Sequence, residues 1–134
     1  MKTKYIYLPN SPLTKIKAKR KHFDLLPEDK KWTYHVEGCG LLSLWNAWYD
    51  KDKNFVGVSI VGERDKVGVV LMKQARGKGY LKHMYPINKT LWAEISKKNI
   101  ASITAHKRLD FLFISETLYG EYLYKRYPRI ENNI

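Results

Sequence analysis

Residues 74–79, with the sequence QARGKG, are the clearest chemical signal in this chain of 134 residues. They follow an apolar run at 67–72 and precede a segment with mixed helical periodicity. In a strand–loop–helix unit, glycines let the backbone approach an anion, and the N–H groups of the first helical turn point at it. Arg76 and Lys78 add positive charge beside those donors. The loop therefore predicts a site for the pyrophosphate of a phosphorylated cofactor, and hence an enzyme.

The chain carries a strong positive charge. It holds 25 lysine and arginine residues against 13 aspartate and glutamate residues, a formal net charge of +12. Hydrophobic residues make up 44% of it, which predicts a folded domain and excludes a disordered one. Such a charge favours polyanionic partners: a nucleotide cofactor, nucleic acid, an acidic protein or a membrane surface. A well-solvated basic surface explains the same charge, so composition leaves the partner open.

Cysteine and histidine content limits the possible sites. Cys39 is the only cysteine, which excludes an internal disulfide and a zinc site built from cysteines. His35, His83 and His106 lack metal-ligand spacing, so we expect no metal. The apolar run at residues 5–8 is too short for a signal peptide, and no run approaches membrane-spanning length. We therefore expect a cytoplasmic protein without a membrane partner.

Patterns typical of strands recur along the chain. Alternating or β-branched apolar residues bounded by turn residues predict five strands. These are residues 4–8, 41–49, 55–61, 67–72 and 101–105. Because short polar turns join the middle three, we expect them to form an antiparallel meander.

Two other stretches have helical spacing. The first follows the glycine loop, is marked by Ile87, Leu91 and Ile95, and is predicted to run through Lys98. The second covers residues 109–127. The chain contains no repeats and no low-complexity linker, so these elements belong to one α/β (α+β) unit.

This order of elements, with Gln-x-x-Gly-x-Gly after the fourth strand, resembles the GCN5-related N-acetyltransferase (GNAT) superfamily. Residues 54–58 (NFVGV) are similar to its third strand, 67–79 to its acetyl-CoA motif, and 103–105 stand in the place of its fifth strand. The resemblance covers residues 41–125. It implies a mixed sheet with an antiparallel meander, a phosphate-binding loop and flanking helices.

The resemblance implies one GNAT-like domain over residues 1–134. A basic N-terminal segment is expected at 1–31 and a cofactor-binding core at 41–127. Pro86 departs from the family pattern, since it falls in a helix that the family runs continuously from the phosphate loop. We expect it either to kink that helix or to begin its main body.

The resemblance also assigns the cofactor, acetyl-CoA. Its pyrophosphate would be held by Gln74, Arg76, Gly77, Lys78 and Gly79. Its pantetheine arm would bind the backbone of Leu71, Met72 and Lys73.

A neutral amine would attack the thioester directly, in a ternary complex. Tyr119, expected on the last helix, is the candidate acid for the departing thiolate, with Tyr122 and Tyr124 behind it. Glu37, acting through water, and His106, near the expected cleft, are candidate bases for the amine. The acceptor amine belongs to an unknown protein, RNA or small molecule, and the positive charge of the chain favours an acidic one.

A different class of function fits the same chain. A basic binding or inhibitor protein without catalysis would use its lysines and aromatic residues on nucleic acid or on an acidic protein. Residues 15–21 are its densest basic cluster, and residues 119–129 alternate aromatic and basic side chains, which suits base stacking and phosphate contacts. A GNAT fold that has lost catalysis would combine both interpretations.

Overall fold

The structure is a computed structural model, and it describes residues 4–28 and 45–129. Over these residues it contains seven strands and three helices. In chain order they are β1 (Thr14–Lys17), α1 (Arg20–Asp24), β2 (Trp45–Tyr49), β3 (Phe55–Val61), β4 (Val67–Leu71), α2 (Leu81–Met84), β5 (Leu91–Ile95), α3 (Ile100–Arg108), β6 (Leu112–Glu116) and β7 (Tyr122–Arg126). Glu37, Cys39 and the first part of the strand predicted at 41–49 lie outside the described residues.

The strands form two antiparallel sheets that meet at one point. The first has the order β1-β2-β3-β4 and the second the order β5-β7-β6. A parallel bridge between Lys66 and Trp92 joins them where β4 and β5 begin. No further β4–β5 ladder follows among the described residues, so these two parallel strands separate towards their C-terminal ends.

The predicted meander is confirmed. β2, β3 and β4 pair in sequence, and β3 and β4 match the predicted boundaries within one residue. One face of this sheet packs against α1 through Phe23 and Trp45, whose rings meet edge to face at 5.5 Å. The opposite face packs Trp48 and Val56 against Met84 of α2. Burial on both faces explains why β3 is apolar throughout.

The strand predicted at residues 4–8 is wrong. This segment is extended but joins no sheet, and it is held by one side chain. The Asn88 amide donates to the carbonyl of Lys4 at 2.7 Å, and its oxygen accepts from the N–H of Ile6 at 2.9 Å. The N–H of Ile87 also donates to the Ile6 carbonyl at 2.7 Å. These contacts satisfy the backbone as a sheet partner would.

The helix predicted to run through Lys98 is also wrong. α2 ends at Met84, because the residue before a proline is disfavoured in helical conformation, and Pro86 therefore neither kinks nor begins a helix. Residues 91–95 form β5 instead, with Leu91, Ala93 and Ile95 buried on one face. The alternation of apolar and other side chains over this short segment is typical of a strand, and it outweighed the helical spacing.

The last two predicted elements have the wrong type of secondary structure. The strand predicted at residues 101–105 is the helix α3, whose N-cap Asn99 accepts from the N–H of Ser102 at 3.2 Å. The helix predicted at 109–127 is the hairpin of β6 and β7. Asp110, with φ of 68°, ends α3 and turns the chain into this hairpin. Tyr119 therefore lies in a turn and not on a helix.

Candidate active site

A groove of ≈ 440 Å³ lies where β4 and β5 separate. Val67, Gly68, Val69 and Val70 form one wall, and Ala93, Glu94 and Ile95 form the other. Tyr85 follows α2 and lines the groove together with three residues of α3 or its cap: Asn99, Ser102 and His106. The groove exists because both strands must pair elsewhere, β4 with β3 and β5 with β7.

Backbone hydrogen-bonding groups of β4 face this groove. The N–H of Met72 donates to the carbonyl of Val56 at 2.8 Å, which fixes the phase of the β3–β4 ladder. In an antiparallel pair, alternate residues point their N–H and C=O groups at the partner strand. Val69 and Leu71 therefore turn these groups away from β3, towards β5. Leu71 is thus available to a ligand, whereas the N–H of Met72 is already bonded.

His106 lies at the α3 side of the groove and is 3% exposed. Its Nδ1 lies 2.7 Å from the backbone carbonyl of Ser102, and its Nε2 lies 2.9 Å from the hydroxyl of Tyr85. A carbonyl oxygen can only accept, so Nδ1 carries the proton of the neutral imidazole and Nε2 accepts from Tyr85. Burial lowers the pKa of His106, and the Ser102 carbonyl opposes that shift. The ring is therefore neutral at pH 7.

Tyr85 is a site residue that the sequence did not single out. It is 1% exposed, and burial raises the pKa of its hydroxyl well above the usual range, so the phenol stays protonated. Its ring packs against His106 and Phe111 at centroid distances of 5.7 and 6.0 Å. The only indication in the sequence is the position of Tyr85 next to Pro86. Its meeting with His106 depends on how α2 and α3 pack.

The β4 side of the groove includes a buried indole whose N–H has no hydrogen-bond partner among the described residues. The indole of Trp45 lines the groove over Gly68, where an added Cβ would lie 3.6 Å from its ring. Trp45 is 2% exposed, and its Nε1 is buried with no hydrogen-bond partner within the described part of the chain. A buried N–H without a partner is costly to the fold. At the rim, Lys66 and Glu94 form an ion pair at 2.8 Å.

The predicted cofactor-binding residues form a continuous loop at the end of β4. Residues Lys73–Ala75 make a 3-10 turn, with Ala75 buried as the anchor. Gly77 and Gly79 follow, each with φ of 75° and no atom within 4 Å of a built Cβ. Arg76 and Lys78 are exposed. The left-handed backbone, the open space at both glycines and the exposed positive charge are the features that a phosphate-binding loop requires.

A second hollow of ≈ 380 Å³ lies beside this loop, on the side of the β2–β3 turn. Met72, Gln74 and Lys78 line it together with Asp50 and Phe55. Asp50 accepts from the N–H groups of Asp52 and Asn54 at 2.9 Å, and these bonds and the nearby Lys78 lower its pKa. The predicted loop residues thus line this hollow, and none of them lines the groove between β4 and β5.

The other predicted site residues are dispersed. Tyr119 is 91% exposed in the turn between β6 and β7, two residues before Glu121, which lines the groove. Tyr122 and Tyr124 lie on β7, where Tyr124 is buried in the core. Glu37 is outside the described residues. The basic cluster at 15–21 covers β1 and the start of α1, with Lys15 stacked 5.0 Å from the ring of Tyr7.

Solved structures share this architecture. A GNAT-family acetyltransferase from Bacillus anthracis matches with a TM-score of 0.65 and 12% identity, over 91% of this chain and 98% of its own. The N-acetyltransferase PseH of Campylobacter jejuni matches with 0.58 and 12%, over 89% and 100%. Spermidine N-acetyltransferase of Vibrio cholerae, in complex with CoA and spermine, matches with 0.53 and 10%, over 87% and 94%.

No protein-family model matches the sequence, and no curated protein matches it either. The structural matches, all at low identity, show that the chain has a GNAT-like fold, so the predicted fold is confirmed. Within the described residues, none of the helices is long and apolar enough to span a membrane.

Proposed function

We propose that this protein is an N-acyltransferase that moves an acetyl group from acetyl-CoA to an amine. The observation that carries the proposal is the groove between β4 and β5, since β4 leads directly into the glycine loop. One structure with this fold is an N-acetyltransferase in complex with CoA. A groove with free backbone groups and a phosphate-binding loop on one strand suits a long, phosphorylated thioester.

The residues present fit acetyl-CoA as the acyl donor. Gln74, Arg76, Gly77, Lys78 and Gly79 would hold the pyrophosphate. The free backbone groups of Leu71 would hold the pantetheine arm, and Val69, which the sequence did not indicate, has the same orientation. Met72 and Lys73 remain proposed for this arm, although the N–H of Met72 is bonded to Val56.

The chemistry proposed for the chain is direct transfer without a covalent enzyme intermediate. An amine must lose a proton as it attacks, the thioester carbonyl must be polarised, and the thiolate must gain a proton. His106 and Glu37 remain the proposed groups that take up the proton of the amine, directly or through a hydrogen-bonded neighbour. Tyr119 remains the proposed acid. It lies two residues from Glu121, which lines the groove, so the Cα atoms of the two residues are within about 7 Å of each other.

The acceptor is proposed only as a class, an amine on a protein, an RNA or a small molecule. Glu121 lines the groove and makes no side-chain hydrogen bond or ion pair within the described part of the chain. A free carboxylate suits an arriving ammonium group. The positive charge of the whole chain acts at longer range and would draw an acidic carrier of that amine.

Isothermal titration with acetyl-CoA and with free CoA tests the donor site. We expect micromolar binding that weakens at least tenfold in Gly77→Glu and in Gly79→Glu. Gly120→Glu is the matched control, because Gly120 has φ of 80° and equally open space but lies in the β6–β7 turn. Circular dichroism would show that all three variants are folded.

Each other outcome has a definite meaning. Unchanged binding in both loop variants would show that the phosphate-loop assignment is wrong. Equal loss in the Gly120→Glu control would assign the effect to net charge and not to the loop. If the folded wild-type protein binds neither ligand, acyl transfer is rejected and the non-catalytic basic binding protein becomes the better hypothesis.

A further inference from the structure

His106 cannot itself receive a proton from a substrate. Its Nδ1 is taken by the carbonyl of Ser102 and its Nε2 by the hydroxyl of Tyr85, at 2.7 and 2.9 Å. No nitrogen of the ring is left to face the groove. Direct removal of a proton by His106, as the sequence suggested, therefore does not fit this geometry. Any proton that reaches the imidazole has to pass through the hydroxyl of Tyr85.

We propose that Tyr85, His106 and the Ser102 carbonyl form a proton relay that serves the attacking nucleophile. This proposal rests on the acyl transfer proposed above. Tyr85 is the catalytic residue, since its hydroxyl meets the nucleophile. His106 is a positioning residue that takes the proton on Nε2. The Ser102 carbonyl fixes the tautomer and stabilises the imidazolium through the Nδ1–H bond.

The proton and bond changes balance. The amine nitrogen forms a bond with the acetyl carbon while its proton passes to the Tyr85 oxygen, and the Tyr85 proton passes to Nε2 of His106. The carbon–sulfur bond breaks and its electron pair stays on the sulfur of CoA. The imidazolium then returns its proton through Tyr85 to solvent, which restores the starting state. The thiolate takes its proton from the proposed acid, Tyr119, which regains one from solvent.

The surroundings keep both groups ready for this role. Burial lowers the pKa of His106, so the ring is neutral and can accept at pH 7. Lys66, Glu94 and Glu121 line the groove. Burial raises the pKa of Tyr85, and the charge of Arg126 on β7 opposes that rise. Burial lowers the pKa of Arg126, and the charge of Asp110 opposes that shift. The relay should therefore require a neutral imidazole, and turnover should rise with pH through the lowered pKa of His106.

The kinetic test uses acetyl-CoA with water as the nucleophile, because water does not titrate in the range of histidine. Release of CoA is measured by chromatography from about pH 5 to pH 9. We expect Tyr85→Phe to lower the turnover number about 100-fold and to remove the acidic limb, while the Kd for acetyl-CoA stays within about twofold. Tyr49→Phe is the control, because it removes a tyrosine hydroxyl that lies 2.9 Å from Nε2 of another histidine, His22, and Tyr49 does not line the groove.

Nitrogen-15 NMR of the histidine rings gives a readout that does not depend on turnover. The His106 signals are assigned by their loss in His106→Gln. We expect a proton on Nδ1 and none on Nε2 at neutral pH, with the Nε2 signal of His106 moving in Tyr85→Phe but not in Tyr49→Phe. A proton found on Nε2 would overturn the relay, because Tyr85 would then accept from His106 and could not pass a proton to it.

The outcomes separate the two proposals. Binding and hydrolysis with an unchanged rate and pH profile in Tyr85→Phe would overturn the relay and leave acyl transfer standing. Binding of acetyl-CoA by the wild type without release of CoA above the uncatalysed rate would overturn the relay as well. Absence of binding by the folded wild type would overturn the proposed function itself.

Discussion

Among the glycines that the structure describes, Gly57 on β3 is the one where an added methyl group should do most damage to the fold. Its φ is 152°, and a built Cβ would lie 2.1 Å from the carbonyl oxygen of Val70 and 3.1 Å from Cα of Leu71. Both contacts are backbone atoms of β4, so no side chain can move aside. Gly57 lies opposite Leu71, just before the glycine loop. On its other side, β3 pairs with β2, where the register shifts between Trp48 and Tyr49.

The expected cost of Gly57→Ala has two parts. The backbone conformation costs an alanine about 1–3 kcal/mol. Moving β3 and β4 apart to relieve the overlap costs about 1–3 kcal/mol more, by analogy with overpacked cores. The sum, about 2–6 kcal/mol, is a large share of the 5–15 kcal/mol by which domains are usually stable. With a urea m-value of about 2 kcal/mol per M, the midpoint should fall by about 1–3 M.

Gly77→Ala is the matched control for this experiment. Gly77 also has a positive φ, 75°, but a built Cβ there meets no atom within 4 Å. It should cost only about 1 kcal/mol, from the left-handed backbone alone. Equilibrium urea unfolding followed by circular dichroism compares the two. A free energy of unfolding for Gly57→Ala that is within 1 kcal/mol of Gly77→Ala would refute the steric argument.

Two further predictions concern buried charge and buried histidine. Arg126, 3% exposed, donates to the carbonyls of Pro86 at 2.6 Å and Lys89 at 3.1 Å. Arg126→Met should therefore lower the free energy of unfolding by about 2–4 kcal/mol. Urea unfolding measures this against Lys125→Met on the other face of β7, and an equal loss in both variants would contradict the prediction. Burial lowers the pKa of His22, His83 and His106. Because the unfolded chain then binds more protons, stability should be complete above pH 6.5 and fall as the pH drops towards the folded pKa values, and a urea midpoint that is flat from about pH 7 to pH 5 would contradict this.

The sequence could predict the elements whose local signals agree with their surroundings. β3 and β4 are β-branched, apolar and bounded by polar turns, and the glycines at 77 and 79 mark left-handed positions that other residues tolerate poorly. Length, turns and backbone freedom are local properties, so a sequence can specify them. The strand followed by a glycine loop with Gln-x-x-Gly-x-Gly spacing was enough to indicate the fold.

The segment from 86 to 127 shows where local signals fail. α3 contains Ile100, Ile103 and Thr104, which favour strands, yet it is a helix capped by Asn99. β7 could be read with helical spacing, but pairing with both β5 and β6 fixes it as a central strand. Tertiary pairing outweighs intrinsic preferences of a few tenths of a kcal/mol per residue.

The sequence by itself therefore determined the glycine loop, the meander before it and the strong positive charge. Only the tertiary structure decided that β4 and β5 separate into a groove, that Tyr85 bonds His106 in its lining, and that Tyr119 lies on an exposed turn. The physical reason is distance along the chain. Tyr85 and His106 are 21 residues apart, and their contact depends on how two helices pack on a sheet that no local pattern records.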